Sequence, residues 1–576
     1  MQVRHSDARV GYFTTGYTDF NINPQGVDKI ELITRWRLEP KPEDRKRYLA
    51  GELVEPAKPI VFYIDPATPK QWVPYLMQGV NDWNVAFENA GFKNAIVARK
   101  VPTATEDPEW SLEDARHSAI VYKSSDIPNA SGPHVHDPRT GEILETHVNW
   151  YHNVMQLVRN WYMIQAGAVD LKARKMVFNE ELMGQLVRFV SSHEVGHTLG
   201  LRHNFGSSST VPVEKLRDKT WVEKYGHTPS IMDYARFNYV AQPEDGISEK
   251  GIFPRINDYD LWAIEWGYRW YPADKFASEA AEKSYLNKWV TERTLANPRL
   301  WFGTEMDKSD PRSQNEDLGD NAMIAGAYGI KNLKRILPQL ISWTREPDAD
   351  YENLTQQYSQ LLGQYGRYMG HVLKNIGGVM TTLKTVEQSG AVVEYVPKAK
   401  QKEAMRFLQE QLFATPVWLL DKQVFSKTGG GSIITISRQQ DAVLSSLLSA
   451  QRMYALLQFQ GNKGRAAYSL AEMLGDLQNG IFSELRSSGA VSIYRRNLQK
   501  SYVEKMIELL KPAAALGVGA PMPSSGPDVK TTDLYSVVKM KLRELLAQVK
   551  ATAGRDKMTK AHLMDLKDRI EEVFEK

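Results

Sequence analysis

SSHEVGHTLGLRHN, residues 191–204, sets three histidines, a glutamate and a glycine that can bend a chain within one short stretch. On an α-helix His193 and His197 stand four residues apart, so both imidazoles leave one face roughly 6 Å apart along the axis and can grip a single ion. Glu194 lies about a third of a turn away, which sets its carboxylate beside the ion as a base and not as a ligand. His203 cannot join while the helix continues. Gly200 supplies the remedy, because glycine adopts the left-handed conformation that ends a helix and turns the chain back. The spacing thus predicts a helix, a bend and a third ligand. Three neutral imidazoles leave a fourth tetrahedral position for water, the arrangement of a catalytic Zn2+ and not of a closed structural one. With Glu194 as general base and then acid, peptide hydrolysis is the natural reaction.

The rest of the 576-residue chain exceeds what one hydrophobic core usually supports, so two or more domains are expected. A hydrophobic fraction of 42% with 24% charged residues reads as soluble and globular. Lys plus Arg total 72 against 69 Asp plus Glu, a balance that gives no electrostatic reason to invoke nucleic acid or an anionic membrane surface. No apolar run reaches the length of a membrane span. The absence of cysteine removes disulfides, thiolate catalysis and Cys-type zinc sites, leaving His, Asp and Glu to hold any metal. The opening MQVRHSDARVGYF is polar where a signal peptide would be apolar, and it reads as a cut into a longer polypeptide.

Residues 1–55 read as a lead-in segment with one strand, Ile30–Leu38. From Pro59 strand and helix signals alternate. IVFYI (Ile60–Ile64) predicts a buried strand, and the three-and-four spacing of Val73, Leu76, Met77, Val80, Trp83 and Phe87 predicts one helix stopped at Gly91. Strands follow at Ala95–Ala98 and Ser118–Tyr122, then a hairpin over Gly132–Trp150 turning at DPRTG, then a helix over Asn153–Ala166. Asn179 with Glu180 and Glu181 marks the start of the helix that carries the histidines. Beyond Pro272 helical periodicity dominates, as in Leu354, Tyr358, Leu361, Leu362, Tyr365, Val372, Leu373 and Ile376, and a Pro/Gly/Ser-rich loop spans 512–528. The expected organisation is a lead-in over 1–55, a catalytic domain over 56–272 and a mainly helical C-terminal domain over 273–576.

The HExxHxxGxxH pattern resembles the zinc signature of the metzincin metallopeptidases, and SIMDY (Ser230–Tyr234) resembles their methionine turn. The resemblance implies an α+β catalytic domain with a twisted, mostly parallel sheet, Met232 as an apolar floor beneath the histidines, and a closing helix over Ile256–Tyr271. It also implies that Tyr234 assists as a switchable ligand or oxyanion donor, as the corresponding tyrosine does in astacins and serralysins. KPIVFYIDPATPKQW, GPHVHDPRTGEILETHVNWYHNVM and SIMDYARFNYVAQP are similar to stretches of a family of large, exported bacterial zinc metalloproteases common in Bacteroidetes, which implies export. In metzincins a peptide substrate pairs with an edge strand. The candidate here is Asn129–His136, including Gly132, His134 and His136.

Weaker signals are kept as alternatives. His134, His136, His147 and His152 form a candidate for an additional structural metal, against ordinary hairpin histidines. TGGGS (Thr428–Ser432) lacks the ending of a phosphate loop and reads as a flexible connection. NEDLGD (Asn315–Asp320) is acidic enough to suggest calcium but lacks the EF-hand ligand pattern, so a solvated loop is expected. Beside the endopeptidase stand a zinc amidase and a surface binding protein that uses the zinc domain as a scaffold.

Overall fold

The computed structural model describes residues 1–21, 23–487, 489–511, 529–554 and 556–575, so the loop expected at 512–528 lies outside the described residues. Thr14–Asp19 (β1) and Asp28–Ile33 (β2) form an antiparallel ribbon. The strand expected over Ile30–Leu38 ends at Ile33, because Arg35 leaves the ribbon to exchange backbone hydrogen bonds with Gly141 and Ile143.

The β-branched run Ile60–Ile64 (β3) becomes a central strand, with Ile60, Phe62 and Ile64 buried on one face and Val61 and Tyr63 half-buried on the other. It pairs in parallel with Ile96–Lys100 (β4) on one side and Ser118–Lys123 (β5) on the other. Ala130–Ser131 (β6) lies at the far edge; Val135–His136 (β7) and Ile143–Glu145 (β8) form a separate two-stranded hairpin; His147–Tyr151 (β9) returns to the sheet. The five-stranded order is β4-β3-β5-β9-β6, parallel throughout except for β6, which runs antiparallel to β9. The hairpin turning at DPRTG is present, but its second arm divides at Thr146 between β8 and β9.

The single helix expected from Val73 to Phe87 is two helices, Val73–Asn81 and Asn84–Asn89. Tertiary hydrogen bonds decide the break: Asn81 accepts from the Ala98 N–H, while Asn84 donates to the Ile96 carbonyl at 2.8 Å. The helix expected at Asn153 spans Val154–Ala166, and the last helix of the catalytic region spans Asp258–Tyr268. Beyond it the described residues are mostly helical, with a small antiparallel pair of Val379–Thr381 (β10) and Val393–Tyr395 (β11). Leu354, Tyr358, Leu361, Tyr365 and Val372 line the buried face of the Glu352–Leu373 helix. One continuous hydrophobic core reaches from Val10 to Ile570. No helix among the described residues is long and apolar enough to cross a membrane.

Candidate metal centre

The histidine-bearing helix spans Glu180–Thr198, and Asn179 caps it by accepting from the Leu182 N–H. It crosses the Val73–Asn81 helix so closely that a Cβ on Gly79 would lie 2.5 Å from Ser191. Ser191 and Ser192 turn their hydroxyls to the carbonyls of Leu76 and Gly79, so the two buried polar residues before His193 are satisfied by the neighbouring helix. The helix stops at Gly200, whose φ of +91° is left-handed. A Cβ there would also come within 2.1 Å of the Thr34 carbonyl oxygen, so both backbone and space demand glycine.

The bend returns His203 to its partners. His203 Nε2 lies 3.3 Å from His193 Nε2 and 3.1 Å from His197 Nε2. Nitrogens bound to one tetrahedral zinc at 2.0–2.1 Å stand about 3.3 Å apart, so the donor set fits the ion. His193 Nδ1 donates to the Ile231 carbonyl at 2.8 Å and His197 Nδ1 to the Leu201 carbonyl at 2.9 Å, which fixes the tautomer that leaves each Nε2 lone pair free. Burial, then the neighbouring imidazoles, pushes His193 well below the ordinary histidine value. Burial likewise takes His203 down to about 3, so the rings are neutral, as ligands must be.

Glu194 is 7% exposed, and the Gly132 N–H at the end of β6 donates to its carboxylate. Burial raises this carboxyl to about 8 in the metal-free chain; a divalent cation beside it would favour the ionised form. Met232 is fully buried under the helix, and its sulfur occupies the space that a Cβ on Gly196 would enter at 2.2 Å. Gly196, unremarked in the sequence reading, is what lets the methionine turn come that close. Asp260 holds the turn from the Asp258–Tyr268 helix, accepting from Ser230 Oγ at 2.6 Å and from the Ile231 N–H at 2.7 Å. Tyr234 places its ring 5.1 Å from His193 and 4.4 Å from His203.

Other expectations are corrected. The extended run expected over Asn129–His136 is interrupted after Ser131, where Pro133 cannot donate to a ladder; His136 belongs to the separate β7–β8 hairpin. The His134 ring faces the His197 carbonyl and the Phe13 ring, so it packs against the end of the metal-site helix. The His134 and His136 rings stay 5.5 Å apart, but His147 meets Glu145 and His152 meets the Tyr122 hydroxyl, and the four hairpin histidines form no metal-holding group. Among the described residues, His193, His197 and His203 are the one group of three or more histidines or carboxylates whose ligand atoms lie close enough together to hold a metal ion.

Two contributions had no local signal in the sequence. The segments flanking the β1–β2 ribbon are bound to the end of the metal-site helix and the ligand loop: Phe13 N–H donates to Gly200 O, Arg202 N–H to Gly11 O, and Trp36 Nε1 to Thr198 O, each at 2.8 Å. The stretch Asn315–Asp320, expected to be a solvated loop, is largely buried. Glu316 donates its N–H to the Tyr234 carbonyl, and its carboxylate pairs with Arg236 and Arg367 at 3.1 and 3.0 Å. The charge of Glu316, which should have kept this stretch in water, is met by the buried Arg236 and the partly exposed Arg367.

A helix-borne histidine pair, a third histidine beyond a glycine bend and a methionine turn beneath them define a metal centre of the metzincin class. A family model described as Met-zincin matches residues 175–489, more than half of the chain, and the chain belongs to that family. Residues 1–41 match a model described as a domain of unknown function. Comparison with curated proteins and with solved structures finds no match. Membership of the Met-zincin family implies a zinc metallopeptidase.

Proposed function

We propose that the protein is a zinc-dependent endopeptidase, exported from a bacterial cell, that cleaves extended peptide segments lying along β6. The observation that carries this reading is the meeting of the Nε2 atoms of His193, His197 and His203 beside the buried Glu194 carboxylate, at the end of the free-edged strand β6. Zinc held by the three histidines supplies Lewis acidity, acidifying water and polarising a carbonyl oxygen. Glu194 takes a proton from the attacking water on a carboxylate oxygen and returns it to the leaving amine. The Gly132 N–H fixes that carboxylate and ties the base to the strand that aligns the substrate. Burial, then the charge of Glu194, raises the Tyr234 phenol, which keeps its hydroxyl protonated as a donor to a developing oxyanion.

The test combines metal analysis with digestion of casein and a peptide library by the wild type and by Glu194→Ala. One zinc per chain in both, with cleavage by the wild type alone, supports the reading. Zinc without cleavage of any peptide by the wild type overturns it and favours the binding scaffold. Tyr234→Phe is expected to lower kcat with little change in KM.

A further inference from the structure

A second polar cluster lies on the other side of the methionine turn. Asp233, directly after Met232, is 1% exposed, and its Oδ2 accepts from the Ser208 N–H at 2.7 Å and the Thr228 hydroxyl at 2.9 Å. Its Oδ1 is buried without a hydrogen-bond partner. The segment 314–320 runs alongside 205–211 in parallel: Gln314 N–H donates to Phe205 O and Asp320 N–H to Val211 O, with the same offset in sequence at both ends. That register brings Asp317 level with Ser208, and Glu316, bound to the Tyr234 carbonyl, holds it against the methionine turn.

Asp317 is 5% exposed with Oδ1 unpartnered, and the Ser207 and Ser208 hydroxyls are fully buried and unpartnered as well. Ser208 Oγ stands beside the Asp233 carboxylate. Four buried side-chain oxygens, two of them from carboxylates, thus lack a hydrogen-bond partner where the 205–211 and 314–320 segments meet Asp233.

Such a group is costly in a core unless a cation meets it. Among the described residues no lysine, arginine or histidine lies within ion-pair distance of Asp233 or Asp317; the nearby Lys374 Nζ instead donates to the Ser313 and Asp307 carbonyls. Burial pushes both carboxyls up, Asp233 to about 7, with the charge of Asp260 adding to the rise at Asp233 and that of Asp233 to the rise at Asp317. Carboxylate and hydroxyl oxygens are the ligand set of a hard cation, and calcium, which accepts irregular coordination, suits them better than magnesium, which demands a near-ideal octahedron.

We infer that Asp233, Asp317, Ser207 and Ser208 form a structural calcium site beneath the methionine turn, joining it to the loop after His203 and to the 314–320 segment. The site is independent of the zinc ligands and of the proposed peptidase activity.

The full chain, purified without chelator, is analysed for metals and then titrated with calcium chloride at fixed zinc while thermal unfolding is followed. One calcium per chain beside the zinc is expected, with a rise in Tm of about 2 °C at calcium well above Kd. Asp317→Asn removes both the bound calcium and the shift and leaves the zinc content unchanged. Ser208→Ala, a smaller change that preserves the fold, weakens calcium affinity about tenfold or more, read by sensitised terbium luminescence and competition with calcium. Absence of calcium together with an unmoved Tm overturns the assignment. So does an equal response to sodium chloride at matched ionic strength, or a wild-type response in both variants.

Discussion

The two buried polar clusters flanking Met232 are built on opposite plans. The histidine triad draws every ligand from residues 193–203, uses neutral bases and satisfies the spare nitrogens of His193 and His197 on nearby carbonyls. The carboxylate cluster draws Ser207 and Ser208, Asp233 and Asp317 from three separate segments and leaves an oxygen of each unsatisfied by protein. A site written within one helix and one bend announces itself by spacing. A site assembled by tertiary register does not.

The contrast can be broken first at the chemistry. Glu194→Gln keeps the shape and removes the base, and should cost about 10²–10⁴ in kcat with zinc content and Tm near wild type. A proportional loss of zinc would make Glu194 a support of the triad instead. Gly200→Ala tests whether the bend is what assembles the triad: left-handed strain plus the clash with Thr34 O should cost about 2–4 kcal/mol and lower zinc affinity, read by denaturant unfolding and chelator competition.

The second region is probed through His371, which is buried and meets the Asn315 carbonyl at 2.9 Å, anchoring the start of the acidic stretch. Burial lowers its pKa from 6.5 to about 4. The unfolded chain therefore binds the proton first as pH falls. The stability that neutral His371 contributes is full above pH 6.5 and is lost as pH drops towards 4, by about 3 kcal/mol at most. The stability gap between wild type and His371→Gln should accordingly be widest near pH 7 and narrow towards pH 4. A gap that does not change with pH would show that His371 contributes packing alone. The smallest effect is expected at Gly196→Ala, about 1–3 kcal/mol from crowding Met232, with a double-mutant cycle to Met232→Ala recovering part of it.

What could be read in advance follows the same division. The capped helix from Asn179, the bend at Gly200, the third ligand and the methionine turn all rest on short-range periodicity, capping and backbone conformation, and all are present. β3 was legible because its β-branched and aromatic run is apolar throughout, buried at Ile60, Phe62 and Ile64 and half-buried between them. Asn315–Asp320 was misread because charge predicts solvent unless a distant partner is known, and Arg367 lies far along the chain. The break after Asn81 depends on hydrogen bonds to β4, and Gly196 matters only once Met232 is seen above it. Phe13, 5.9 Å from the His197 ring, gave no signal because nothing in its own neighbourhood marks it as part of the centre.

The clasp between residues 11–13, Thr34 and the Gly200 turn has a practical corollary. In a saturation scan these early positions will score alongside the metal ligands, although none supplies an atom to the ion. Loosening them should reveal itself as faster zinc release before any fall in helix content.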